Sequence, residues 1–180
     1  SEETPCNPLG IYGTLKYSGE LIVKAYHQTF DLPYTIIRPS ALYGERCVSR
    51  RVSQIFIENA VQGSDITING DGSDKLDFTY IDDLVKGITL VVEKKEALNE
   101  TFNLTYGEAH SIREMAEILK EHFEGINIKY KQKDSLTPAR GTLNVDKARN
   151  LLGYNPQNPI DIGYPKYIQW YKKLWDLIEH

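Results

Sequence analysis

The chain has 180 residues, 41% of them hydrophobic, and a formal net charge of -4. That length fits one ordinary domain or one and a half small ones, and the apolar share is enough for a core. The interspersed charges argue against a nucleic-acid-binding surface, and no apolar run approaches the roughly 18 residues of a membrane span.

The chain opens Ser1-Glu2-Glu3-Thr4, with no methionine and no visible signal peptide, which fits an internal start. Pro5 and Pro8 precede a predicted helix over 10–30, where Leu15, Gly19, Ile22, Val23, Tyr26 and Phe30 recur at helical intervals and Pro33 stands just past the end. Residues 34–37 read as a buried strand stopped by Arg38-Pro39, and 40–47 as a loop. A second helix is expected over 49–61, closed by Gly63, with Val52, Ile55, Phe56 and Ala60 facing inward. Residues 66–68 form a short strand before the turn Asn69-Gly70-Asp71-Gly72.

Residues 77–81 read as one strand, with Asp82 capping a helix that contains Leu84, Val85, Ile88, Val91 and Val92. A strand over 101–104 follows, and Ser111-Ile112-Arg113-Glu114 has the form of a capping box for a helix reaching about residue 123. Residues 127–130 are strand-like, 145–152 a short helix ended by Gly153, and 160–178 a final helix whose Tyr164, Tyr167, Trp170, Tyr171 and Trp175 read as packing. This alternation implies an α/β protein. Cys6 and Cys47 have no metal-site spacing and read as free thiols of a reducing compartment, so a cytoplasmic location is expected. His27, His110, His122 and His180 are scattered, and no metal site is expected.

Tyr12 and Lys16 lie four apart on the first helix, so a phenol and an ammonium can share one face. A free tyrosine ionises near pH 10, and a neighbouring positive charge favours the phenolate, which makes such a pair a usable base near neutrality. It can take a proton from a sugar hydroxyl as the carbon gives up hydride. The competing reading is that Tyr12 buries its ring and Lys16 is a solvated helix residue.

Taken together, the motifs resemble one family, the extended short-chain dehydrogenases/reductases that act on nucleotide sugars as epimerases, dehydratases or decarboxylases. They run in order along the chain: Pro8-x-x-x-Tyr12-x-x-x-Lys16-x-x-x-Glu20; Arg38-Pro39-Ser40-Ala41-Leu42-Tyr43-Gly44; Gly70-Asp71-Gly72-Ser73; Asp77-Phe78-Thr79-Tyr80-Ile81-Asp82-Asp83; Phe102-Asn103; Arg140-Gly141; and Asp146-Lys147-Ala148-Arg149-x-x-Leu152-Gly153-Tyr154.

The resemblance implies the C-terminal part of a Rossmann-like doubly wound parallel sheet plus a smaller α/β substrate-binding lobe. Residues 1–63 would carry the Tyr-x-x-x-Lys pair, and 64–180 would be mainly the nucleotide-sugar lobe, with segments returning to the sheet. It implies NAD as cofactor, Tyr12 as acid/base, Lys16 as its partner and as a ligand of the nicotinamide ribose, and Pro39 and Ser40 beside the nicotinamide. Substrate contacts would fall on Arg51, Ile68, Lys75, Asn103 and Arg140, with Arg140 suited to phosphate or else a solvated surface residue.

The chain departs from the family pattern at Leu76, where a diphosphate arginine usually stands and Lys75 is a substitute. It departs again at Ala41, in place of a common asparagine, and at Asn69, in place of an aromatic. The basic loop Glu45-Arg46-Cys47-Val48-Ser49-Arg50-Arg51 suggests that one arginine binds a substrate carboxylate; a phosphate contact or a solvated helix start are the alternatives.

The sequence lacks a Gly-x-x-Gly-x-x-Gly turn, so the cofactor half is expected upstream and the isolated chain is expected neither to hold NAD firmly nor to turn over substrate. The function implied is NAD-dependent nucleotide-sugar epimerisation through a transient ketone, usually at C4, on a substrate that includes a nucleotide-linked uronic acid among the candidates. A 4,6-dehydratase or decarboxylase is the alternative, and a non-catalytic sugar-nucleotide-binding or dimerisation module the reading from another class. The helices starting near Gly10 and Ser49 resemble those that pair in the family's dimers, so a homodimer is expected.

Overall fold

A computed structural model describes residues 1–132 and 140–179. The first helix, α1 (Gly10–Phe30), ends where Asp31 turns left-handed at φ 55° and its N–H bonds back to His27 O. It leads into β1 (Thr35–Arg38), which pairs in parallel with β6 (Glu100–Asn103) in the register Thr35↔Glu100 to Arg38↔Asn103. Four polar or charged residues at the ends of these strands flank a buried middle, and Phe102 is wholly enclosed. Beside them, α3 (Ile81–Glu93) and α5 (Asp146–Leu152) contribute Leu84, Ala148 and Leu152 to a small core completed by Ala97, Leu104 and Tyr154.

The larger core lies in a second layer. There β2 (Leu42–Tyr43) runs parallel to β5 (Thr79–Tyr80), β3 (Ile66–Asn69) runs parallel to β8 (Ile128–Lys131), and β4 (Lys75–Leu76) runs antiparallel to β7 (His110–Ser111). Helices α2 (Val52–Val61), α4 (Ile112–Lys120) and α6 (Ile160–Glu179) close over them. Phe56, Ile57 and Ala60 of α2, Met115 and Leu119 of α4, and Tyr164, Tyr167 and Ile168 of α6 meet Ile66 and Ile68 in one cluster. Thus α2 packs with the segments that follow residue 63. The capping box of α4 forms as expected, with Glu114 N donating to Ser111 Oγ at 3.1 Å and the Glu114 carboxylate accepting from Ser111 N.

Several local expectations are corrected. Residues 77–81 are not one strand, because the chain changes partner at Asp77-Phe78, from β7 on one side to β2 on the other. Asp82 does not cap α3: Tyr80 is the N-cap, with no side-chain bond. The neighbouring Asp83 is instead buried and accepts from Gln157 N, Asn158 N and Asn158 Nδ2 at 3.0, 2.8 and 3.0 Å. Phe56 and Ala60 of α2 face inward as expected, joined by Ser53, Gln54 and Ile57 while Val52 and Ile55 are half-buried, and Val85, Ile88 and Val92 of α3 are exposed. The aromatic residues of α6 pack as expected, and Tyr164 Oη donates to Ser53 O at 2.9 Å.

Candidate active site

The loop after β1 turns at Pro39, and the face of α1 four residues apart in register, Tyr12, Lys16 and Glu20, stands opposite it. Between them lies a cleft of about 970 Å³, lined also by Ser40, Ala41, Arg51 and the segment Arg140-Gly141-Thr142-Leu143. Tyr12 is exposed, and the Lys16 ammonium sits 5.8 Å from the centre of its ring. A second, smaller cavity of about 260 Å³ is lined by Val52, Phe56, Ile68, Asn69, Lys75, Leu76 and Ile112. Arg140 lines both.

Eight of the nine residues singled out in the sequence therefore fall on these two cavities: Tyr12, Lys16, Pro39, Ser40, Arg51 and Arg140 on the larger, and Ile68, Lys75 and again Arg140 on the smaller. Asn103 lines neither. It is buried at the end of β6, where its Nδ2 donates to Asn144 O at 3.0 Å and its backbone N–H to Glu2 Oε1 at 2.8 Å.

Three residues that the sequence left without a role organise the site. Glu20 and Arg38 form a two-bond fork, Nε to Oε1 at 2.8 Å and Nη2 to Oε2 at 2.6 Å. Asp77, fully buried, accepts from Thr105 Oγ1 at 2.8 Å, Gly107 N at 3.1 Å and Leu143 N at 3.1 Å, so it ties the Arg140–Leu143 wall to the core. Burial pushes its carboxyl above the usual range, and the bonds from Leu143, Thr105 and Gly107 offset part of that. Both pairings join residues far apart in sequence and of common types, and no spacing rule marks them.

Burial also pushes the phenols of Tyr43, Tyr154 and Tyr164 upward, so none of these serves as a base near neutrality. Tyr12, on the open cleft wall beside an ammonium, has the placement such a base needs.

The loop between Ala41 and Arg51 is backbone-strained, with Ala41, Arg46 and Arg50 all left-handed at φ 38°, 61° and 39°. Asparagine tolerates that region better than alanine, which makes the substitution at Ala41 conformationally costly. Arg50 is already engaged: its Nε and Nη2 bond Glu58 at 2.9 and 2.8 Å, where Gln54 Nε2 and Tyr171 Oη also donate at 2.8 and 3.1 Å. Burial works to raise the Glu58 carboxyl, but the bonds from Gln54, Arg50 and Tyr171 prevail and hold it below the usual range. A lowered folded-state value stabilises the fold above the ordinary glutamate value, about 4.3, and that stabilisation is lost as pH falls through the folded value. Glu58→Gln is expected to lower the melting temperature at neutral pH and to flatten its decline on acidification; a profile parallel to wild type below about pH 4.5 would contradict this.

Comparison with known proteins gives a consistent result. A model of the NAD dependent epimerase/dehydratase family matches residues 1–105. The chain is 32% identical over 177 residues to an uncharacterized UDP-glucose epimerase, YtcB, of Bacillus subtilis, covering 97% of this chain and 56% of that protein. It is 29% identical over 185 residues to UDP-glucuronate 4-epimerase 1 of Arabidopsis thaliana, covering 91% and 42%. Among solved structures, UDP-glucuronic acid 4-epimerase from Bacillus cereus, in complex with UDP-glucuronic acid and NAD, superposes with a TM-score of 0.91 at 29% identity, over 97% of this chain and 56% of that one. The chain spans about half the length of the curated relatives it matches.

Proposed function

The chain belongs to the NAD-dependent epimerase/dehydratase family, and from that premise we propose that it supplies the acid/base pair and the nucleotide-sugar lobe of an NAD-dependent nucleotide-sugar 4-epimerase. The observation that carries this reading is one cleft lined by Tyr12, Lys16, Pro39, Ser40, Arg51 and Arg140, with Arg140 also lining the second cavity. NAD, when bound, accepts the hydride from the sugar carbon and returns it. Tyr12 and Lys16 on one wall and Pro39 and Ser40 on the other fit its nicotinamide end chemically, offering a phenol, an ammonium and a hydroxyl.

In this reading Tyr12 takes the proton from the sugar hydroxyl and gives it back after the keto sugar has turned over. Lys16 stabilises the phenolate and donates to the ribose. Arg140 and Lys75, both lining the smaller cavity, hold the diphosphate. Because Arg50 is committed to Glu58, Arg51 on the cleft wall is the arginine best placed to bind a uronate carboxylate. That favours a nucleotide-linked uronic acid, the substrate of a 4-epimerase or a decarboxylase, over the neutral sugar of a 4,6-dehydratase.

The proposal extends to a cofactor half outside these 180 residues and a cytoplasmic homodimer through α1 and α2; the expected division at residue 63 gives way to one before α2, which shares its core with the sugar-nucleotide lobe. The exposed Ile11, Leu15, Ile22 and Tyr26 along α1 offer an apolar face to be covered by the cofactor half or by a second copy.

Calorimetric titration of the chain with UDP-, dTDP- and GDP-sugars, with and without NAD, tests the reading. Binding of a UDP-uronate is expected. Arg140→Leu and Lys75→Ala should each weaken it about tenfold, as loss of a charge-assisted bond does, and Arg51→Leu should remove the preference for uronate over neutral sugar. Affinity unchanged by all three substitutions would refute the assignment of these cavities.

A further inference from the structure

Helix α1 is 21 residues long and buries none of its side chains. Within these 180 residues Ile11, Leu15, Ile22 and Tyr26 remain exposed along it, and the contacts that hold it against β1 here are polar. Near its C-terminus His27 Nδ1 lies 2.9 Å from Leu32 O, a tie local in sequence.

The contact that spans the fold is the Glu20–Arg38 fork, at 2.6 and 2.8 Å, with side chains only 21% and 17% exposed for Arg38 and Glu20. A bidentate guanidinium–carboxylate pair fixes orientation as well as distance. The same guanidinium reaches the segment before α1, donating from Nη1 to Glu2 O at 3.1 Å and from Nη2 to Cys6 Sγ at 3.5 Å.

The placement of this fork is specific. Glu20 follows Tyr12 and Lys16 by two turns and one turn on the same helix face, and all three line the cleft. Arg38 ends β1 and is bonded directly to Pro39, where the opposite wall begins. We propose that the Glu20–Arg38 pair is a positioning device that sets the Tyr12–Lys16 wall of the cleft against the Pro39–Ser40 wall. Neither residue reacts; each acts through the group next to it. The inference rests on the reading of Tyr12 and Lys16 as the acid/base pair.

Two measurements test it. Hydrogen exchange on the chain itself, with Glu20→Gln and Arg38→Lys, is expected to show α1 amides exchanging about tenfold faster while those of α2 and α4 stay within about twofold, a local loosening. Lysine keeps the charge but cannot form the fork, so Arg38→Lys separates geometry from charge. Unchanged α1 exchange, or acceleration across the whole chain, would overturn the proposal.

The second measurement uses a polypeptide that joins this chain to a dinucleotide-binding half. There Glu20→Gln should lower kcat about a hundredfold with the KM for nucleotide sugar within about threefold, the signature of misplaced catalytic groups. An unchanged kcat despite a loosened α1 would also overturn it. Tyr12→Phe serves as the separate control: it should leave α1 exchange as in wild type, and retained turnover in that variant would sink the acid/base reading while leaving the exchange result intact.

Discussion

Tyr12→Phe is expected to reduce NAD-dependent turnover of a nucleotide sugar by about 10²- to 10⁴-fold, the usual contribution of a positioned acid/base group. The assay requires a polypeptide joining this chain to a dinucleotide-binding half, followed by the appearance of the epimeric sugar. The substitution deletes one oxygen from an exposed ring, so folding should be unaffected: exposed changes of this kind usually alter stability by no more than about 0.5 kcal/mol. Nucleotide-sugar affinity, set by Arg140 and Lys75 in the reading proposed, should also persist. A loss of rate without loss of fold or binding isolates the proton-transfer role. Turnover within about tenfold of wild type would show that another group moves the proton, because a true general base is not replaced so cheaply.

The family and its α/β layering were legible because they rest on local signals: helical apolar spacing in α1, the capping box at Ser111, Gly153 past the end of α5, and a string of motifs in fixed order. The two cavities were legible to the extent that eight residues named for them line them. What escaped was the set of contacts that depend on chain crossing. The split at Asp77-Phe78 arises because adjacent residues pair with strands that lie before and after them in sequence, Leu42-Tyr43 and His110-Ser111. Period-2 alternation cannot reveal a change of partner.

The fork between Glu20 and Arg38 escaped for the same reason: two opposite charges 18 positions apart have no signature until a helix is laid beside a strand. Asn103 was read as a ligand contact from its motif; its bond to Asn144 O is a backbone service that the motif does not announce. The face of α2 was read in part: Phe56 and Ala60 turn inward as expected, but Ile57 joins them because the core is supplied by α4 and α6, which nothing within α2 announces.

Gly163→Ala is expected to cost about 1–3 kcal/mol, the range for forcing atoms into a packed core, even though alanine gains up to about 1 kcal/mol over glycine within a helix. The added Cβ would lie 2.3 Å from Tyr43 Oη, 3.2 Å from its Cζ and 3.3 Å from Tyr80 Cδ2. Tyr43 is 1% exposed and has nowhere to swing, since Phe78, Tyr80 and Tyr164 hold its ring edge-on at 6.4, 5.6 and 6.1 Å. Its hydroxyl is buried with no hydrogen-bond partner among the described residues.

Tyr43→Phe alone should therefore stabilise the fold or leave it nearly unchanged, because an unsatisfied buried hydroxyl carries a penalty of about 1–3 kcal/mol that offsets the lost packing. In the Tyr43→Phe background the closest obstacle to the new Cβ is gone, and Gly163→Ala should cost less than about 1 kcal/mol. Urea denaturation of the four proteins in this cycle is expected to give a coupling of about 1 kcal/mol or more between two positions 120 residues apart. Strict additivity would mean that the ring moves aside, and the close contact between α6 and β2 would then not be what keeps position 163 free of a side chain.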